Sequence, residues 1–300
     1  MRRWWTLLLA GVTGVLLSGC GLPAGVDGEL TDGWAALGAP RIFVPPAGVC
    51  HAGGFVAIPY LSSFSPVECT TSHRLETVHV GTFTGLDAER TEPPEPGSAQ
   101  LRGAFAECDG RASEYVGGPW RTARLWLGVA VPPAEAWHGG ARWFRCDLSE
   151  VANVENNGDP VNREASLAGA LRSASPLHLG CYAAKLTRAE TIESMPASDC
   201  ARPHNAEFTG VWTAPDIAYP VTDRDWVPFY AGCWQQVARY VGVPDDGNLR
   251  YRTGIMALPA APNQWRTGDR GVRCYLWLSD RSLTASLKGA GPAALPIKTG

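Results

Sequence analysis

One cysteine interval occurs twice. Cys50 precedes Cys69 and Cys181 precedes Cys200 by the same 19 residues. A matched series follows in both places. His73 and Glu76 stand after Cys69 as His204 and Glu207 stand after Cys200. Tyr-Val-Gly begins at Tyr115 and Tyr240, seven residues beyond the third cysteines Cys108 and Cys233. Trp137 and Trp265 lie nine residues before the fourth, Cys146 and Cys274. Gly81 matches Gly210, and the tails align Ser166-Leu167 with Ser282-Leu283. So many coincident landmarks predict an internal tandem duplication, with the fold written twice.

The ninth cysteine stands apart. Arg2 and Arg3 precede an apolar run over residues 4–17, too short for a comfortable membrane span, which ends in Leu17-Ser18-Gly19-Cys20. This ending resembles the lipobox of bacterial lipoproteins. The resemblance implies cleavage before Cys20 and attachment of acyl chains such as palmitate, two or three of which anchor a protein stably. The organisation expected is a signal peptide over residues 1–19, a Gly-rich tether over 20–40, a first repeat over 41–176 and a second over 177–300. The location expected is the outer face of the cell membrane.

An exported chain with eight remaining cysteines reads as a disulfide framework. Helical spacing places Leu101, Phe105, Cys108, Ala112 and Tyr115 on one face, and Trp226, Tyr230, Cys233, Val237 and Tyr240 on its counterpart. Alternation puts Phe144, Cys146 and Leu148 on one sheet face, as it does Val272, Cys274 and Leu276. The pairing expected is therefore Cys108–Cys146 and Cys233–Cys274, from helix to sheet, which leaves Cys50–Cys69 and Cys181–Cys200. Strands are expected over residues 50–58, 77–83, 125–131 and 249–258. The fold class is α+β: two tandem repeats, each a small antiparallel sheet covered by a helix and braced by two disulfides.

A formal charge of -3 offers no basic field for nucleic acid. Cysteine, histidine and glutamate in one short motif raise zinc. Oxidised cysteines supply no thiolate, however, and His73 and Glu76, three apart in an extended segment, are expected on opposite faces. The competing reading has His73 and His204 bonding the loop that enters a strand while Glu76 and Glu207 complete a buried contact. Trp137 and Trp265, followed by Arg142 and Arg270, read as packing with cation–ring stacking or as interface anchors. No catalytic motif is found, and His51, His79, His138 and His178 have no counterparts. No metal, cofactor or catalytic residue is assigned.

The run Asp199-Cys200-Ala201-Arg202-Pro203-His204-Asn205-Ala206-Glu207-Phe208, with Cys181 before it, resembles the septum formation family of actinobacterial extracytoplasmic domains. So does the later Trp265-x-x-Gly268-x-Arg270-x-x-x-Cys274. Residues 68–78 are similar, with Ser72 where proline is usual. The resemblance implies a link to septation and cell division and carries no activity or cofactor. The function expected is a non-enzymatic, lipid-anchored binding or scaffolding module with a protein or cell-wall partner. The alternative is an envelope enzyme or metal-binding protein with a site between the repeats.

Overall fold

The computed structural model describes residues 41–155, 158–189 and 191–298. The leader and tether expected over residues 1–40, Cys20 included, lie outside them.

The first half contributes β1 (Val49–His51), β2 (Pro66–Val67), β3 (Leu75–Thr82), helix α1 (Ala99–Val116), β4 (Leu125–Ala130), short helix α2 (Ala134–His138) and β5 (Trp143–Glu150). The strands form an antiparallel sheet in the order β2-β1-β3-β5-β4. The second half contributes β6 (Cys181–Tyr182), β7 (Lys185–Leu186), β8 (Ile192–Ser194), β9 (Ala197–Ser198), β10 (Ala206–Thr213), helix α3 (Asp223–Val241), β11 (Gly254–Pro259), α4 (Pro262–Thr267), β12 (Gly271–Trp277) and α5 (Gly291–Ala294). Its sheet runs β9-β6-β10-β12-β11, also antiparallel, while β7 and β8 form a separate hairpin. The two orders correspond strand for strand. Both long inner strands also carry a register shift, between Thr77 and His79 in β3 and between Phe208 and Gly210 in β10. The fold is thus mixed α/β, with antiparallel sheets.

Each sheet is covered on one face by its long helix. Ser98 caps α1 by accepting from the Leu101 N–H, and Thr222 with Asp225 forms a capping box on α3. Gly117 and Gly242 end these helices with left-handed backbone at φ 81°, where a side chain would be strained. Four disulfides form in the pairing set out above: Cys50–Cys69, Cys108–Cys146, Cys181–Cys200 and Cys233–Cys274. Cys108–Cys146 and Cys233–Cys274 each fasten helix to sheet, with Cα atoms 5.3 and 5.1 Å apart.

Four expectations are corrected. The strand expected over residues 50–58 stops at His51, because Gly53-Gly54 turns the chain out and leaves Val56 and Ile58 exposed. Residues 249–251 form a single 3-10 turn, and the strand expected from 249 begins only at Gly254. On α3, Phe229 is buried and Tyr230 is 42% exposed, the reverse of the expected Tyr230 position. Both lie within a turn of Cys233, and the all-carbon ring takes the core while the phenol stays near water. Finally, the register places Gly81 opposite Phe144 but Gly210 opposite Cys274, so the two glycines are not counterparts. A Cβ at Gly81 would overlap the Phe144 ring, whereas Gly210 provides φ 146° at the bulge.

The described residues from 42 to 298 pack as one unit. Arg273 on β12 donates to the carbonyls of Arg121 (3.1 Å) and Leu125 (2.8 Å) in the first half. Arg121 in turn holds Asp269 (2.7 Å) and Asp109, and Gln264 donates to the Leu127 carbonyl (3.2 Å). Gly271 lies under Arg121, where a Cβ would overlap the guanidinium stem. Among the described residues, no helix is long and apolar enough to cross a membrane.

Candidate functional site

His73 does not belong to β3. It sits in an isolated bridge with Arg163, each backbone N–H donating to the other's carbonyl at 2.8 Å, and the chain bends before β3 begins at Leu75. The bend turns its imidazole onto Glu76, Nε2 to Oε1 at 3.1 Å, and corrects the expectation that the two side chains face apart. Nδ1 lies 2.8 Å from the Thr71 carbonyl, which can only accept, so Nδ1 carries a proton.

The Glu76 carboxylate is buried and saturated. Oε1 also accepts from the Leu167 N–H at 2.7 Å, and Oε2 accepts from the Tyr115 and Ser166 hydroxyls, both at 2.9 Å. One carboxylate thereby ties together the β3 strand, the last turn of α1 and the segment after β5. The second half has the same contacts. His204 Nε2 reaches Glu207 at 3.1 Å, and Nδ1 faces the Arg202 carbonyl at 2.8 Å. Tyr240 (2.7 Å), Ser286 (2.8 Å) and the Leu287 N–H (2.9 Å) donate to Glu207. Burial, with the adjacent carboxylate, pushes the Tyr115 hydroxyl up to about 12 and Tyr240 higher still, so both remain donors.

Ser286-Leu287, not the expected Ser282-Leu283, is therefore the counterpart of Ser166-Leu167. The signal was present: residues 165–170 read Ala-Ser-Leu-Ala-Gly-Ala and residues 285–290 read Ala-Ser-Leu-Lys-Gly-Ala. Gly169 and Gly289 take φ 69° and 67°, and their N–H groups donate at 2.8 Å to the carbonyls of Tyr115 and Tyr240.

Two clusters have metal-ligand composition, Cys50 with His73 and Glu76, and Cys181 with His204 and Glu207, their donor atoms lying within 4.8 Å. The sulfurs are in disulfides and each carboxylate is already met by four groups of the protein, so this donor set is occupied by the protein itself. Trp137 and Trp265 are buried, with Arg142 and Arg270 over their rings at 4.2 and 4.8 Å. Their indole N–H groups donate to the carbonyls of Arg90 and Ile217. The unmatched histidines are scattered: His79 on Glu107, His138 on Glu92, and His178 in a bridge with Ala123.

The sheet faces turned away from the two long helices differ. In the first, His51 Nε2–H donates to Thr77 (2.9 Å), Thr77 donates to Asp147 (2.8 Å), and Arg145 clamps the other Asp147 oxygen at 2.7 and 2.9 Å. Burial, with the Arg145 charge, lowers His51 to about 4, while burial pushes Asp147 above the usual carboxylate range. In the second, register places Tyr182, Phe208 and Tyr275 at the His51, Thr77 and Asp147 positions, where they pack edge to face. Arg273 occupies the Arg145 position.

A cleft of about 950 Å³ opens between the halves beside β11. Trp226, Tyr230 and Trp234 of α3 line it on one side, Trp126 and Trp277 on the other. Its carboxylates are Glu155, Asp223 and Asp269, and no histidine lines it. The sequence pattern raises a site between the repeats but names none of its residues, because the walls join positions from different halves, and helical spacing reads Trp226 and Tyr230 as a buried helix face.

Residues 47–274 match the family model described as septum formation. No curated protein and no solved structure matches the chain significantly.

Proposed function

Since the chain belongs to the septum formation family, we propose that it is a lipid-anchored, non-enzymatic binding module of the cell envelope, linked to septum formation and cell division. On this reading Cys20 carries the anchor, and the two halves are tandem copies of one disulfide-braced unit. The matched strand orders, the matched His–Glu–Tyr–Ser contacts and the four disulfides support that history and an oxidising compartment. Those repeated polar groups are fully engaged with each other, which leaves them to brace the fold rather than to meet a substrate.

The observation that carries the binding reading is the cleft. Among its mostly aliphatic walls stand six at least partly exposed aromatic rings, Trp126, Tyr219, Trp226, Tyr230, Trp234 and Trp277, the residue type that anchors partners, at a joint between two packed halves. An envelope enzyme with its site at the same joint needs a poised acid–base pair there. Asp269, one of the three carboxylates, is committed to Arg121 and to the Gly271 N–H. Crosslinking in intact cells followed by mass spectrometry tests the reading: recurrent recovery of one envelope partner is expected, and recovery of chance neighbours alone overturns it. Labelling with an alkyne fatty acid tests the anchor. The wild-type chain is expected to be labelled and membrane-bound, and the Cys20→Ala variant neither.

A further inference from the structure

We infer that the cleft is a strand acceptor, taking an extended peptide that pairs with the edge of β11 and carries a large apolar side chain and a basic one. The inference rests on the binding reading above and names the class of partner.

The terminal position of β11 in its sheet is the starting point. An edge strand presents a row of backbone N–H and C=O groups with no partner strand. Register with β12 places Ile255 and Ala257 on the face of Cys274, towards α3, and Met256 and Leu258 on the opposite face. All four line the cleft. Both side-chain rows reach the cleft only if the edge between them opens into it.

The equivalent edge in the first half shows what such an edge is given when the chain covers it. The β4 carbonyls of Leu125 and Leu127 take Arg273 and Gln264, and the Val131 N–H donates to the Ala57 carbonyl at 2.9 Å. That last partner comes from the irregular segment after Gly53-Gly54, whose Phe55 packs edge-on against Trp126 with ring centroids 4.8 Å apart. In the second half the chain after β6 folds instead into the β7–β8 hairpin. Among the described residues, no loop or side chain hydrogen-bonds to the backbone of residues 255–258 beyond the ladder with β12. One edge is thus covered by an apolar, aromatic-bearing stretch of chain and by two side chains, and its counterpart is open.

The walls fit the same kind of occupant. Trp226 and Tyr230 stack at 5.8 Å with planes 21° apart on the α3 side, and Trp126 with Trp277 stands on the other. A paired strand would send alternate side chains to these two aromatic walls. Charge fixes the remaining preference. Arg121 offsets Asp269, and Arg273 in the lining is turned onto the Arg121 and Leu125 carbonyls, while Asp223 and Glu155 make no ion pair among the described residues; two unpaired carboxylates against one guanidinium leave a rim that favours lysine or arginine.

The test pans random octapeptides displayed on phage against the purified full chain. Enriched peptides are then measured by tryptophan fluorescence and by hydrogen exchange. Enrichment of sequences alternating large apolar and basic residues is expected, with exchange at residues 254–259 slowed at least about tenfold at saturation. Tyr230→Ala weakens binding about fivefold, and Asp223→Asn weakens it about threefold for lysine-bearing peptides only. Circular dichroism confirms that both variants fold. N-methylation of alternate peptide residues, which deletes N–H donors and spares side chains, abolishes binding. The inference is overturned by no enrichment, by unchanged β11 exchange, or by equal binding of the methylated peptide. It is equally overturned if β11 is protected by concentration-dependent self-association, which makes a second copy the occupant, or if chitotriose alone fills the cleft. Failure here removes the strand acceptor, while a partner crosslinked in cells through another surface would still uphold a binding role.

Discussion

Replacing Glu76 with glutamine changes one atom and tests the load carried by the buried clusters. The carboxylate accepts four hydrogen bonds, from His73, Tyr115, Ser166 and the Leu167 N–H. An amide oxygen can keep two of them, and the amide nitrogen accepts none. Hydrogen bonds to a charged group contribute about 1.5–3 kcal/mol each. Losing two therefore costs about 3–6 kcal/mol, and rotation of the Tyr115 and Ser166 hydroxyls to accept from the new amide returns part of it. The expected loss is about 3 kcal/mol, at the lower end of the cost of breaking a buried pair. Glu207→Gln is expected to match it, because its contacts agree with those of Glu76 to within about 0.2 Å. Tyr115→Phe removes a single donor and is expected to cost about 1 kcal/mol. Urea unfolding followed by far-ultraviolet circular dichroism reads all three from the midpoint at constant slope. Losses below about 1 kcal/mol for both glutamine variants would refute the reasoning, since exposed carboxylates behave that way.

Three further outcomes are expected. His51 has a folded-state pKa of about 4 against 6.5 in the unfolded chain, so its neutral form stabilises the fold fully above pH 6.5 and that stability is lost as pH falls towards 4. The full difference corresponds to about 3 kcal/mol, which solvent screening of the partly hydrated ring reduces to about 2 kcal/mol, and it is expected to vanish from the pH profile of His51→Phe unfolding; an unchanged acid limb contradicts the assignment. Removing the Cys108–Cys146 link, which closes a 38-residue separation, by double alanine substitution is expected to cost about 4 kcal/mol in the chain-entropy model, against about 3 for Cys50–Cys69; calorimetry that reverses the order counts against that model here. Arg121→Ala removes the guanidinium that joins Asp109 to Asp269 across the halves and is expected to split one unfolding transition into two, whereas a single sharp transition at wild-type midpoint shows that the joint lies elsewhere.

How much of this was legible in the sequence depends on whether a feature is local and repeated. The disulfide pairing was readable because helical and alternating periodicities point Cys108 and Cys146, or Cys233 and Cys274, into the same layer. The Glu76 and Glu207 partners were only half readable. Tyr115 and Tyr240 fall at equal offsets, but Ser166 and Ser286 follow segments of different length, and Ser282-Leu283 offered a nearer false match. The His73–Glu76 contact was missed because an isolated bridge to Arg163, 90 residues away in sequence, bends the chain where an extended run was expected. The cleft had no sequence signature that named its residues. It arises from the way Arg273 and Gln264 dock one half on the carbonyls of the other, a tertiary event that no periodicity reports.

Position-resolved photocrosslinking in cells that produce the protein tests the binding account most directly. A photoreactive phenylalanine analogue is placed at Tyr230, beside the cleft, or at Leu86, which is 82% exposed and lies outside the cleft lining. The account predicts one recurrent envelope partner from position 230, lost when Asp223→Asn and Glu155→Gln are added, and none from position 86. The same products from both positions, or none from position 230, would contradict it.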